Sequence, residues 1–245
     1  MKAIAGLKRL FNALVKHDEY SAYLLCDRIT SKVYPRYKFS EFGRSFLLDE
    51  EFLRYYESFM DPGNYHSLDR RYALDQLMKV VCHLEGDTAE CGAHHGASSY
   101  LICRRIAGLR KQHHVFDSFE GLSAPGKEDG TYWTSGVFAT SDEVIRARLK
   151  EFDFVVIYKG WLPARLHEVG DRQFCFVHID VDLFQPTLDS VRFFYPRMIA
   201  GGMIICDDYG FESCPGARQA MDSFFSDKPE PVVSLPTGQG LIIKR

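Results

Sequence analysis

The sequence predicts an α/β fold: a mostly parallel seven-stranded sheet covered by helices on both faces, with an antiparallel edge strand and an N-terminal helical extension. Three observations predict it. From Thr88 onward, short apolar runs alternate with amphipathic segments, the pattern of parallel strands joined by crossover helices. The last two apolar runs are separated only by Pro236-Thr237-Gly238-Gln239-Gly240. That is a hairpin, so one closing strand runs antiparallel. Before Thr88 the periodicity is helical. Residues 1–65 are read as the extension, a lid or oligomerisation element, and 66–245 as the α/β domain.

The elements follow in order. Ile4, Leu7, Phe11, Leu14 and Val15 recur at helical spacing, but Lys8 and Arg9 interrupt any apolar leader or membrane span. The stripe suits packing on the core or on a second subunit, with a membrane-surface helix as the other reading. Leu47–Met60 reads as one helix closed by Asp61-Pro62-Gly63-Asn64, and Leu68–Leu84 as a second with Leu74, Leu77, Met78 and Val81 on one face. The strands are Thr88–Cys91, His114–Asp117, Phe154–Tyr158, Phe174–Asp180, Gly202–Asp207, Val232–Leu235 and Leu241–Lys244. Helices fit Ala97–Leu109, Ser141–Phe152, Leu188–Met198 and Gly216–Phe225.

Bulk properties narrow the function classes. With 245 residues, 46% hydrophobic and 26% charged, the chain can build one sizeable core. Its formal net charge of −3 supplies no chain-wide field for nucleic acid. Seven cysteines without Cys-x-x-Cys spacing suit a reducing, cytoplasmic setting and no structural zinc.

In such sheets the ligand crevice lies at the carboxyl ends of the strands. The first strand runs into Glu90-Cys91-Gly92-Ala93-His94-His95-Gly96-Ala97-Ser98-Ser99 and then a helix. Gly92 and Gly96 permit a sharp turn and close approach of a ligand to the backbone. The spacing is not the dinucleotide Gly-x-Gly-x-x-Gly, and Glu90 suits an ammonium or sulfonium better than a pyrophosphate. Backbone N–H groups or Ser98 would take a carboxylate. A tight turn with a buried acid is the alternative. Asp117 ends the second strand 25 residues beyond Gly92, where an acid can grip ribose hydroxyls. Trp161, after Gly160, can cover an adenine face or simply pack. His94 and His95 lie in the same loop and can touch the cofactor.

The fourth strand ends in His178-Ile179-Asp180-Val181-Asp182 and the fifth in Cys206-Asp207-Asp208-Tyr209. Neighbouring strands lie about 4.8 Å apart, so these acids converge. Converging carboxylates repel, and a hard divalent cation resolves the conflict. Asp182 reads as supporting or structural, and His178 as supporting or core rather than a ligand.

Five motifs in order carry a resemblance. They are Asp69-Arg70-Arg71 through Glu90-Cys91-Gly92; Asp117-Ser118-Phe119-Glu120-Gly121-Leu122; Gly160-Trp161; Asp180-x-Asp182-Leu183; and Gly201-Gly202 to Asp207-Asp208-Tyr209. Over residues 65–245 the chain resembles the macrocin O-methyltransferase family, whose members methylate sugar hydroxyls. The resemblance implies a Rossmann-like class I methyltransferase fold, S-adenosylmethionine as donor, and Mg²⁺ or another divalent cation on Asp180, Asp207 and Asp208. It matches Glu90, Gly92, Asp117 and Ser118 to cofactor-contacting positions. The expected cofactor contacts are Glu90, Gly92, Ala93, His94, Gly96, Ser98, Asp117, Ser118, Gly160 and Trp161. The glycine loop is also similar to that of catechol O-methyltransferases, but Leu183 stands where those enzymes carry a catalytic lysine. Asp180 is therefore assigned the acceptor proton, with His178 as another candidate. The expected acceptor is a small-molecule hydroxyl, on a sugar of a natural product or glycoconjugate. A homo-oligomer is expected. The rival enzyme reading is a metal-dependent glycosyltransferase using Asp180-x-Asp182; a nicotinamide oxidoreductase and a non-catalytic binding module rank below it.

Overall fold

Glu90 on the first strand must meet whatever the sheet sets beside it, so strand order decides the site. A computed structural model describes residues 2–35, 45–59 and 68–245. Contacts divide the chain into two units, Met1–Tyr55 and Tyr56–Arg245.

In the first unit, α1 (Lys2–Val15) and α2 (Glu19–Val33) pack on one another. The Asp18 carboxylate accepts the Ser21 N–H at 2.8 Å and caps α2. Leu7, Phe11, Leu14 and Val15 are exposed. The single helix expected over Leu47–Met60 is in fact two pieces, a 3₁₀ turn at Ser45–Leu48 and α3 (Glu50–Phe59). Asp49 explains the break, since its carboxylate accepts the Phe52 N–H at 2.9 Å and starts a fresh helix. Met60 and the turn expected at Asp61–Asn64 lie outside the described residues.

The second unit opens with α4 (Leu68–Val81), which buries Leu74, Met78 and Val81. Then come β1 (Asp87–Cys91), α5 (Ala97–Ile106), β2 (His113–Asp117), α6 (Asp142–Arg148), β3 (Val155–Lys159), β4 (Phe174–Ile179) and α7 (Phe184–Phe194). β5 (Met198–Cys206), α8 (Pro215–Phe225), β6 (Val233–Ser234) and β7 (Gly240–Ile243) complete it. The seven strands lie in the order β3-β2-β1-β4-β5-β7-β6. β7 pairs antiparallel with both β5 and β6, and the other pairs are parallel; the expected antiparallel strand is thus β7, one place in from the edge that β6 forms.

Helix ends depart most from expectation. α7 starts at Phe184 rather than Leu188, because Pro186 is tolerated in a first turn, where its missing N–H costs nothing. Pro196 then confines the chain to a short 3₁₀ turn, and Met198, expected to end a helix, opens β5 instead. α5 stops at Ile106, before Gly108 at φ +78°.

Register sorts the side chains. Glu90 pairs with His178, and His178 with Ile205; Cys91 pairs with Ile179, and Ile179 with Cys206. Alternation therefore gives the sheet one face of Ala89, Cys91, Phe116, Val177 and Ile179, packed under α7 and α8. The other face carries Thr88, Glu90, His113 and His178, all buried. Strand order reverses between β1 and β4, which opens the crevice at their carboxyl ends. Among the described residues no helix is long and apolar enough to cross a membrane.

Candidate active site

A cavity of about 420 Å³ lies at those strand ends. Its wall includes Gly92, Ala93, His94, Ser98, Asp117, Ser118, Gly160, Trp161, Asp180 and Asp208. Of the expected site residues, Glu90, Gly96 and Asp207 are not on that wall.

The turn after β1 is held from two sides. Gly92 has φ +78°, and a Cβ there would collide with the Asp180 carbonyl oxygen. Only glycine lets the β1 and β4 ends approach this closely. The Asp180 N–H donates to the Cys91 carbonyl at 2.8 Å and the Gly92 N–H to that of Phe116 at 2.9 Å. Asp117 fixes the rest of the loop: its Oδ2 accepts N–H groups from Ala93 and His94, each at 2.8 Å, and its Oδ1 that of Phe119 at 2.7 Å. Ser98 is 3% exposed on the cavity wall, and its Oγ has no hydrogen-bond partner among the described residues. A buried hydroxyl left unpaired costs stability unless a ligand completes it.

Glu90 faces elsewhere than expected. Its Oε1 accepts from His178 Nδ1 at 2.8 Å, and the Ser99 hydroxyl donates to its Oε2. Burial raises its carboxyl, but the His178 hydrogen bond and charge outweigh that and hold it below the ordinary range. Glu90, expected among the cofactor contacts, is thus placed off the cavity wall. Strand alternation turns it onto the sheet face under α5, where it supports the loop from below.

At the other end, the ligand atoms of His178, Asp180 and Asp207 lie within 4.8 Å of one another, and so do those of Asp182, Asp208 and Cys214. The expected triad of Asp180, Asp207 and Asp208 is thus divided between two clusters. Asp207 and Asp208 follow the end of β5, and Arg70 Nη1 lies beside both, 2.7 Å from Asp207 Oδ2 and 3.6 Å from Asp208 Oδ1. Asp207 Oδ1 accepts from Gln239 Nε2 at 2.7 Å and His178 Nε2 at 3.2 Å, while Arg70 Nη1 donates to Oδ2 at 2.7 Å.

Charge explains how four clustered acids coexist, two of them buried and two partly exposed. Burial opposes ionisation of Asp207, but Arg70 and His178 hold its carboxyl far below the usual range. Burial also pulls His178 down, yet its bonds to Asp207 and Glu90 raise it to about 10. Both ring nitrogens of His178 are engaged by carboxylates, Nδ1 with Glu90 and Nε2 with Asp207, and His178 is not on the cavity wall. Burial and Asp207 push Asp180 up to about 6, and burial and Asp180 push Asp182 up to about 7. Burial and Asp182 raise Asp208 well above its ordinary value. Arg70 also lies 3.6 Å from Asp208 Oδ1, but these three carboxylates are less fully compensated than Asp207.

Sequence reasoning missed Arg70, Gln239 and the aromatic wall. Arg70 also stacks on Phe211, 4.6 Å from the ring centroid. Tyr132, Trp133 and Phe138 line the cavity from the segment 124–140, and Trp133 Nε1 donates to Cys214 Sγ at 3.3 Å. Asp129 anchors this segment: its carboxylate accepts the Gly126 N–H at 2.7 Å and the Phe184 N–H at 2.6 Å.

A sheet of this order, with its cavity at the β1 and β4 ends, is the fold of class I O-methyltransferases. The solved structure of the O-methyltransferase NovP shares it with a TM-score of 0.64 and 23% identity, over 75% of this chain and 84% of that one. The family model of macrocin O-methyltransferase matches residues 67–232, and this chain belongs to that family. Its members are S-adenosylmethionine-dependent O-methyltransferases, and so is this enzyme. The chain is similar to demethyldecarbamoylnovobiocin O-methyltransferase of Streptomyces niveus, 26% identical over 66% of this chain and 69% of that protein. It is also 29% identical to 8-demethyl-8-(2,3-dimethoxy-alpha-L-rhamnosyl)-tetracenomycin-C 4'-O-methyltransferase of Streptomyces olivaceus, over 54% of this chain and 56% of that protein. Neither fold nor family supports the glycosyltransferase alternative.

Proposed function

We propose that this enzyme methylates a sugar hydroxyl of a natural product or glycoconjugate, with a divalent cation at its acid cluster. The observation that carries the reading is one cavity with an unpaired buried hydroxyl, Ser98, at one end and under-compensated carboxylates at the other. The tetracenomycin relative, named for 4'-O-methylation beside a rhamnosyl group, supports a sugar acceptor.

The donor set fits a hard cation: burial and mutual repulsion raise Asp180 and Asp208, Asp207 beside them is ionised, and a cation would relieve the repulsion. Asp180, Asp207 and Asp208 would hold Mg²⁺, with Asp207 using the oxygen that Arg70 now occupies. When bound, the ion supplies Lewis acidity that lowers the pKa of an acceptor hydroxyl. Ser98, Gly92, Ala93 and His94 would receive the amino-acid part of the donor, Asp117 and Ser118 the ribose, and Gly160 and Trp161 the adenine. The proton goes to the strand-end pair Asp180 and Asp182. Asp182 comes first, because it holds no ligand role. The exposed apolar residues of α1 support a homo-oligomer, which light scattering tests.

The experiment is turnover on a panel of glycosides against Mg²⁺ concentration, with S-adenosylhomocysteine binding measured by calorimetry. Asp182→Asn should lower kcat by about 10²–10⁴-fold at every metal concentration. Asp180→Asn and Asp208→Asn should raise the Mg²⁺ requirement. A parent enzyme fully active in chelator would remove the metal from this reading. Near-parental turnover of Asp182→Asn, with a lasting deficit in Asp180→Asn at saturating metal, would return the proton to Asp180.

A further inference from the structure

The C-terminal hairpin reads in sequence as a plain connector, yet its turn encloses a polar side chain. Gln239 is fully buried. The antiparallel pairing of Cys206 with Gly240 continues by one residue and sets Gln239 opposite Asp207. The turn is closed by the Leu235 N–H on the Gln239 carbonyl at 2.8 Å and tied to the segment after Asp208 by the Gly210 N–H on the Gly238 carbonyl at 2.6 Å. The Thr237 hydroxyl donates to Gln239 Oε1 at 2.9 Å, which fixes the amide and aims Nε2 at Asp207 Oδ1, 2.7 Å away. His178 Nε2 reaches the same oxygen at 3.2 Å. Oδ1 is therefore satisfied by two donors, and Oδ2 is left to Arg70, which itself lines the cavity.

We infer that Gln239, acting with His178, is a positioning residue that locks the Asp207 carboxylate so that Oδ2 faces the cation. The inference rests on the metal reading above. Groups that orient a ligand from behind typically contribute about 10–100-fold to metal affinity when removed. Gln239 suits this better than a purely structural role would require. A hairpin turn closes through its backbone, and an apolar side chain would fill the same space without needing Thr237 to orient it.

The test titrates the full-length enzyme with Mn²⁺, following free ion by electron paramagnetic resonance. S-adenosylhomocysteine affinity without metal and thermal melting are recorded alongside. Gln239→Leu removes the donor; Gln239→Met does so in nearly the same shape and serves if the first variant folds poorly. The expected result is Mn²⁺ affinity weakened by about 10–100-fold, with S-adenosylhomocysteine affinity unchanged. Gln239→His, which keeps a donor, should recover part of the loss. Parental Mn²⁺ affinity in the folded variants overturns the inference while the metal reading stands. Loss of both affinities in step with the melting temperature also overturns it, by showing a structural role only. A parent enzyme that takes up no Mn²⁺ ends the metal reading and this inference together.

Discussion

The two faces of the sheet are built from the same strands by different rules. Under α7 and α8, Ala89, Cys91, Phe116, Val177 and Ile179 meet Val191, Phe194, Ala217 and Met221 in an apolar cluster. Under α5 a hydrogen-bonded chain runs from Thr88 to His113 (2.9 Å), His113 to Ser99 (3.1 Å), Ser99 to Glu90, Glu90 to His178 (2.8 Å) and His178 to Asp207 (3.2 Å). Apolar contact is non-directional and scales with area, so it tolerates small changes of shape. A buried polar chain is favourable only while every member has its partner. One face stores stability, and the other stiffens the strand ends that hold the cavity.

The sharpest way to break this comparison is to delete one group from each face. Glu90→Leu leaves the charged His178 with one partner fewer and should cost about 3–5 kcal/mol. Ile179→Val removes one methylene from the apolar face and should cost about 0.5–1.5 kcal/mol. Urea unfolding of both variants measures the gap. Equal losses would mean that the polar chain is no more demanding than ordinary packing.

Acidity and alkalinity should act on the polar face through its two shifted histidines. His178 rises from 6.5 to about 10 in the folded chain, against burial, through Asp207 and Glu90. Its contribution is fully present below the unfolded value and is lost as pH climbs from 6.5 through about 10. Burial pushes His113 the other way, to about 4, so its contribution is lost as pH falls from 6.5 through about 4. Melting temperature against pH should therefore fall on both sides of neutrality. His178→Gln should flatten the alkaline limb, and Ile179→Val should lower the curve without reshaping it. An alkaline limb that persists in His178→Gln would assign it to other groups.

The smallest effect belongs to the cavity edge. Ser98→Ala removes an oxygen that has no partner among the described residues, so stability should hold or rise slightly. Affinity for S-adenosylhomocysteine should drop by about 0.5–1.5 kcal/mol, the typical worth of one hydrogen bond. Calorimetry showing unchanged affinity would mean that Ser98 does not meet the cofactor.

Strand ends were legible in the sequence because acids interrupt apolar runs there, and Asp117, Asp180 and Asp208 all reach the cavity. The face that Glu90 occupies was not legible. Alternation gives the two faces but does not say which of them is polar and covered. Helix starts at Asp49 and Phe184 depended on single capping or proline choices that periodicity does not register. Arg70 and Gln239 escaped because they reach Asp207 across 137 and 32 residues. Arg70 did leave a faint signal: it sits in the first turn of α4, where a cation opposes the helix dipole and needs a partner elsewhere.

The missing side chain at Gly92 has a consequence for diversification. With β1 and β4 in backbone contact there, the span from donor loop to acid cluster cannot stretch or shrink to suit a new acceptor. The segment 124–140, whose aromatic side chains line the cavity and which Asp129 pins at one end, is free of that constraint, so its replacement with Asp129 retained should alter the volume of the cavity while leaving the spacing of the strand ends as it is.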